Sequence, residues 1–191
     1  MTAAATPSSF PELQTQTALI QEISEAVRNI PDYPKAGILF KDITTVIGDA
    51  RLFKATLDLM TEQLKSLAPV IVVGIEARGF IFGAPLAERL NAGFVPIRKK
   101  GKLPGKTISY NYALEYGVDT IQLHEGAIPA GARVLIVDDL LATGGTAAAA
   151  AELVQQAGGV VVGYGFMIEL DFLEGRKMLS PTIPVESLLH Y

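Results

Sequence analysis

Residues 133–146 decide the fold. They read Arg133-Val134-Leu135-Ile136-Val137-Asp138-Asp139-Leu140-Leu141-Ala142-Thr143-Gly144-Gly145-Thr146 and run on into alanines. The apolar block Val134–Val137 predicts a buried strand of a parallel sheet, and the alanine-rich run predicts a helix. In an open α/β sheet, ligands bind outside the carboxyl ends of the strands, which is where Asp138 and Asp139 fall. The segment Thr143-Gly144-Gly145-Thr146 then opens a helix from about residue 145. Its free N–H groups and the helix dipole favour an anion. The glycines permit close backbone approach, and the threonines add hydroxyl donors. The absence of a lysine and of a glycine-rich lead-in excludes a nucleotide P-loop and a dinucleotide turn. Two adjacent carboxylates would repel a triphosphate. They suit a neutral diol or a bound divalent cation. A ribose 5-phosphate meets both demands, with its phosphate on the loop and its hydroxyls on the acids.

The rest of the chain bounds the answer. At 191 residues it can bury a sizeable core. A net charge of −4 argues against nucleic acid as a partner, and no apolar run is long enough to span a membrane. There is no cysteine, which excludes disulfides and thiolate chemistry and fits a cytoplasmic setting. Residues 1–15, rich in Thr, Ala, Pro and Ser, read as a flexible tail, and residues 16–191 as one domain. An amphipathic helix is expected over 16–29, with Pro31 and Pro34 stopping it. A second helix is expected over 50–67, capped by Asp49. Strands near 70, 94, 134 and 160 alternate with helices near 50, 80 and 145, the pattern of an α/β sheet. Residues 108–114 alternate as a further strand. Pro181 and Pro184 mark 183–189 as an edge segment.

Three further clusters carry chemistry. Val70–Val73 predicts a strand that delivers Glu76-Ala77-Arg78-Gly79 at its carboxyl end, a second strand-to-helix turn that could cradle an anion. Phe94–Ile97 ends in Arg98-Lys99-Lys100-Gly101-Lys102, a basic run in an acidic chain and so a second anion element. Ile38-Leu39-Phe40 sits in a punctuated loop, where Phe40 by itself reads as a core aromatic. His124 and His190 are too isolated to build a metal set.

These motifs, in this order, resemble the type I phosphoribosyltransferases, and most closely the members that act on adenine. The likeness rests on Val137–Thr146, Tyr33–Asp42, Glu76–Phe80, Arg98–Gly105 and Leu114-Glu115-Tyr116-Gly117, and it spans residue 16 to the end. It implies an α/β fold with a mostly parallel central sheet flanked by helices, and a small N-terminal hood over 31–48. The implied reaction transfers the phosphoribosyl group of phosphoribosyl diphosphate (PRPP) to adenine, giving AMP and diphosphate. Another base such as guanine or hypoxanthine, and a non-catalytic regulator binding PRPP or a nucleotide, are the alternatives. The resemblance assigns the 5′-phosphate to Ala142, Thr143, Gly144, Gly145 and Thr146. It assigns the diphosphate to Glu76, Ala77, Arg78, Arg98, Lys99 and Lys102, with basic residues shared across a homodimer. It puts adenine at Leu39, Phe40 and Lys41. Catalysis falls to Glu115, Tyr116, Asp138 and Asp139, with Mg²⁺ held mainly by PRPP and water. It also implies a strained bond between Glu76 and Ala77. Lys41 stands where a member of the family has arginine, and Ala36 where proline is common.

Overall fold

The computed structural model describes residues 10–114 and 117–191, so Glu115, Tyr116 and residues 1–9 lie outside the described residues. The chain divides into two compact units, the first ending at Thr56 and the second running from Leu57 to Tyr191.

In the first unit, α1 spans Phe10–Ala26. The helix expected from residue 16 therefore starts inside the stretch read as tail, at residues 10–15, and stops earlier than 29. Pro11 and Glu12 suit a first helical turn. At its other end the backbone leaves the helix for β1 (Arg28–Pro31), which pairs antiparallel with β2 (Leu39–Asp42). The pairing sets Arg28 opposite Asp42, where the two side chains form an ion pair with Nε at 3.0 Å. Asp42 Oδ1 also accepts the Thr44 N–H at 2.9 Å, at the start of the short α2 (Thr44–Ile47). These bonds, that from Thr44 foremost, hold the Asp42 carboxyl down at about 2. Next comes α3 (Ala50–Leu64), and Asp49 caps it as expected, accepting the N–H groups of Arg51 and Leu52 at 2.9 and 3.0 Å.

The second unit is built on a seven-stranded sheet. Its strands are β3 (Ile71–Ile75), β4 (Gly93–Lys99), β5 (Thr107–Leu114), β6 (Gly117–His124), β7 (Arg133–Leu141), β8 (Val160–Glu169) and β9 (Val185–His190). Their order is β5-β6-β4-β3-β7-β8-β9. The run β4-β3-β7-β8-β9 is parallel, while β6 pairs antiparallel with β4 and with β5. The expectation of a mostly parallel sheet flanked by helices is borne out. α4 (Gly79–Arg89) crosses from β3 to β4, and α5 (Gly145–Gln156) from β7 to β8. These crossovers leave the adjacent strands β3 and β7 in opposite directions along the sheet. Their shared carboxyl edge is thus the topological switch point where such sheets bind ligands.

The core explains why β7 occupies the centre. Val134, Leu135, Ile136 and Val137 are all fully buried, because a strand covered on both faces needs no polar alternation. Each such side chain contributes roughly 1.5–3 kcal/mol. One face packs on Ala147, Ala150, Leu153 and Val154 of α5. β7 runs on past Val137 through both acids to Leu141, pairing with β8 as far as Glu169. No helix among the described residues is long and apolar enough to cross a membrane.

Candidate active site

Two turns meet at the switch point, each positioned by its strand. After β7, the chain turns at Ala142–Gly144 and enters α5 with no side-chain cap. The first N–H groups of α5 therefore have no acceptor inside the helix and are directed at whatever occupies the turn. Gly144 adopts φ +84°, and a Cβ there would stand 2.2 Å from the Gly175 carbonyl oxygen. No other residue fits. A cavity of about 90 Å³ lies in this turn, lined by Asp138, Leu140 to Ala147, and Phe166. All five residues assigned to the 5′-phosphate surround it.

A larger cavity of about 470 Å³ adjoins it, sharing Asp138, Leu140 and Thr146. Its remaining wall comes from Ile75, Glu76, Ala77, Arg78, Lys99, Tyr112, Asp119 and Asp139. The Glu76–Ala77 peptide is cis, at the position where the resemblance implied a strained bond. Arg78 pairs with Asp139. Its Nε lies 2.9 Å from the buried Asp139 Oδ2, an ion-pair contact outside hydrogen-bond geometry, so that this oxygen has no hydrogen-bond donor among the described residues. Glu76 Oε2 instead accepts from Arg98 Nε at 2.9 Å and from the Lys99 N–H at 2.8 Å. Arg98 holds the Glu76 carboxyl below the usual range. Glu76 is thus a holder of Arg98, whose guanidinium also lies over the Phe80 ring at 5.7 Å.

The acid pair is electrostatically uneven. Burial, and then the charge of Asp139, push Asp138 well above the ordinary carboxylate range. Burial also raises Asp139, against the opposing pull of Arg78. Asp138 Oδ1 accepts the backbone N–H of Asp139 at 2.9 Å. Two neighbouring carboxylates that resist ionisation together form a site that gains from hydroxyl donors or from a positive charge nearby.

Tyr112 and Asp119 line the larger cavity, and neither was singled out as a site residue. The Tyr112 hydroxyl lies 3.4 Å from Thr146 Oγ1 and 3.4 Å from Asp119 Oδ2, with Lys99 Nζ also 3.4 Å from that oxygen. A signal was available, since Tyr112 and Asp119 are cross-strand partners in the β5–β6 hairpin. Pairing the hairpin about Leu114 and Gly117 brings them together. Lys102 is exposed and does not line the cavity. Leu39, Phe40 and Lys41 belong to the first unit. There the Phe40 ring meets Tyr33 edge-on at 5.1 Å, and burial lowers the Lys41 pKa. Glu115 and Tyr116 lie outside the described residues.

Comparison with known proteins bears on this arrangement. Residues 47–171 match the model of the phosphoribosyl transferase domain family. Over 174 residues the chain is 54% identical to the adenine phosphoribosyltransferase of Synechococcus sp. (strain RCC307), covering 91% of this chain and 98% of that one. It is 59% identical to that of Koribacter versatilis over 165 residues, covering 86% and 90%. The crystal structure of the Thermoanaerobacter pseudethanolicus adenine phosphoribosyltransferase superposes with a TM-score of 0.87 at 50% identity, covering 90% of this chain and 99% of that one. The Saccharomyces cerevisiae enzyme, complexed with an imino-altritol bisphosphate and adenine, superposes at 0.86 with 44% identity, covering 91% and 99%.

Proposed function

The chain belongs to the phosphoribosyl transferase domain family, among the adenine phosphoribosyltransferases, and from that premise we propose how its residues divide the reaction. The activity is transfer of the 5-phosphoribosyl group from PRPP to adenine, giving AMP and diphosphate. The observation that carries the division of labour is the pair of adjoining cavities that share Asp138, Leu140 and Thr146.

The smaller cavity takes the 5′-phosphate on the α5 N-terminus, with the hydroxyls of Thr143 and Thr146 completing the shell. Asp138 and Asp139 accept the ribose 2′ and 3′ hydroxyls, which supply the donors that the buried Asp139 Oδ2 lacks. Developing positive charge on the sugar ring, as the bond to diphosphate breaks and N9 of adenine approaches C1′, is stabilised by the same two acids. Arg78 and the basic residues Arg98 and Lys99 meet the departing diphosphate, with Glu76 fixing Arg98. In the first unit, Phe40 is the platform for the adenine ring, with backbone near Leu39 reading its edge. Lys41, largely buried, acts by shaping that loop. Glu115 would serve as the acid or base toward N7, and Tyr116 would pack or hydrogen bond over the site. A Glu115→Gln enzyme is expected to slow a single turnover while PRPP affinity holds, and an unchanged single-turnover rate contradicts the role.

Mg²⁺ fits the acids as an ion carried with PRPP. Among the described residues, the grouping of three metal-ligating side chains is Glu169, Asp171 and His190. Glu169 there is bonded by Arg176 and Ser187, and none of the three lines either cavity. A cation held by substrate and water with one or two carboxylates is the usual Mg²⁺ arrangement, and it neutralises leaving-group charge. Asp138 and Asp139 are the carboxylates that would brace its hydration shell.

A homodimer sharing basic residues belongs to the same reading. Arg98 and Lys99 are engaged within their own chain, which leaves the exposed Lys102 as the residue to reach across. Sedimentation at low micromolar concentration is expected to give a dimer. A panel of bases with PRPP and Mg²⁺ tests the whole assignment. AMP is expected from adenine, with no IMP or GMP from hypoxanthine or guanine.

A further inference from the structure

Outside both cavities, a buried carboxylate stands behind the phosphate turn with no part in the reaction described so far. Glu169 ends β8, and its oxygens accept Nε and Nη2 of Arg176 at 2.6 and 2.7 Å and the Ser187 hydroxyl at 2.6 Å. Arg176 Nη1 donates to the Val185 carbonyl at 3.0 Å. Burial raises the Glu169 carboxyl, but Arg176 and Ser187 outweigh it and hold it below the usual range, so the pair is ionised. Both Glu169 oxygens are therefore committed, which removes the neighbouring Asp171 and His190 from consideration as a metal set with it.

Arg176 lies in a single 3-10 turn, Gly175–Met178, and Gly175 is buried. A Cβ on Gly175 would stand 2.2 Å from the Ala142 carbonyl oxygen, and a Cβ on Gly144 would stand 2.2 Å from the Gly175 carbonyl oxygen. The phosphate turn and the Gly175 peptide are thus in backbone contact from both sides. The adjoining Leu170 N–H donates to the Leu141 carbonyl at 3.0 Å. The turn that holds the anion rests on a wall whose place is set by an ion pair. A pair with a buried carboxylate and a guanidinium nearly half exposed is weak evidence of a role in stability. What the fork-to-carboxylate geometry adds is a defined position.

We propose that Arg176 and Glu169 are positioning residues for the 5′-phosphate site: by fixing the Gly175 peptide they set the conformation of Ala142–Gly144, and with it the affinity for the phosphorylated end of PRPP and AMP. The inference rests on the assignment of residues 142–146 to that phosphate. It leaves the diphosphate end untouched, because Arg78, Arg98 and Lys99 are positioned by β3 and β4.

The test uses the full chain and titrates AMP and diphosphate separately by calorimetry, alongside KM for PRPP and kcat. Arg176→Gln is expected to weaken AMP binding and raise KM for PRPP by about tenfold, as misplacement of a binding group does, with diphosphate affinity and kcat held within about twofold. Arg176→Lys keeps the charge without the fork, so it should fall between the wild type and Arg176→Gln. A general structural lesion would instead weaken both ligands together. Equal weakening of both, or an unchanged AMP affinity in a folded Arg176→Gln enzyme, overturns the proposal. Should Arg176→Gln fail to fold, Arg176→Lys and Gly175→Ala decide by the same split. Thr143→Ala separates the two layers of the argument. If it weakens AMP while the Arg176 variants do not, the positioning role fails and the loop assignment stands. If it leaves AMP affinity unmoved, the loop assignment fails and the proposal with it.

Discussion

The turn after β7 and the turn after β3 do the same topological job with opposite chemistry. Residues 142–146 contain no charged side chain and offer N–H groups, hydroxyls and a helix dipole. Residues 76–78 and the neighbouring end of β4 are densely charged, yet the charges are already paired, Glu76 with Arg98 and Arg78 with Asp139. The difference fits the division of the site proposed above. A phosphate that stays on the product needs a fixed, uncharged cradle. A diphosphate that must depart is better met by cations that have carboxylates to return to. On that proposal the first turn would gain affinity from preorganisation and the second from exchange of partners.

The comparison breaks if the acids at the meeting point are dispensable. Asp138→Asn combined with Asp139→Asn is expected to lower kcat/KM by about 10²–10³-fold, the usual scale for losing a preorganised electrostatic group, while circular dichroism shows a folded chain. Full activity in that variant ends the assignment. Next in size, Gly144→Ala should weaken AMP binding by about tenfold or more by forcing the turn off the Gly175 carbonyl, with diphosphate affinity barely moved. The charged turn should be more forgiving. Arg78→Lys is expected to raise KM for PRPP by no more than about fivefold, because a partly exposed ion pair contributes about 1 kcal/mol at most. Glu76→Gln should tighten diphosphate binding by about twofold by removing the carboxylate that competes for Arg98, and weaker binding would show that orientation outweighs competition.

The last prediction is diagnostic by sign. A carboxyl whose folded pKa lies above its unfolded value begins to cost stability as pH rises through the unfolded pKa, costs most above the folded one, and costs nothing below both. Asp138 is raised in this way by burial and by Asp139. Asp138→Asn should therefore raise Tm at neutral pH, and the gain should vanish as pH falls below the ordinary aspartate range. Asp42, held down at about 2, gives the opposite trend, stabilising above the ordinary range and ceasing to as pH falls through about 2. A lower Tm for Asp138→Asn at neutral pH would show that the charge on the oxygen accepting the Asp139 N–H outweighs its burial.

Much of this was legible in the sequence because it is local. An apolar run, two acids and a threonine-glycine turn fix a strand, its edge and a helix start within fourteen residues, and β7, its turn and α5 follow that reading. The Asp49 cap is local in the same sense. What was not legible depends on register between distant segments. Arg78 and Glu76 are near neighbours, yet each pairs elsewhere, because β4 and β7 flank β3 and bring Arg98 and Asp139 closer than the chain does. Tyr112 and Asp119 meet only through hairpin pairing. The early start of α1 was obscured by composition, since the Thr, Ala, Pro and Ser that suggest a loose tail surround the Pro11 and Glu12 that suit a helix start.

The attachment of the β5–β6 hairpin carries a mechanical consequence. β6 is joined to β4 through the pairs Arg98 with Gln122 and Lys99 with Ile121, and just beyond them the Lys100 N–H donates to the Thr120 carbonyl at 3.1 Å. In the proposed division of the site Arg98 and Lys99 meet the departing diphosphate, and they are also where the hairpin arm that ends at Leu114 and Gly117 joins the sheet. Counting from Gln122 to Gly117, that arm extends roughly 15 Å beyond its pivot, so a tilt of roughly ten degrees displaces its end by roughly 3 Å. On the proposed assignment, a pull on Arg98 or Lys99 by an anion would in this sense be a pull on a lever, with its load at Leu114 and Gly117.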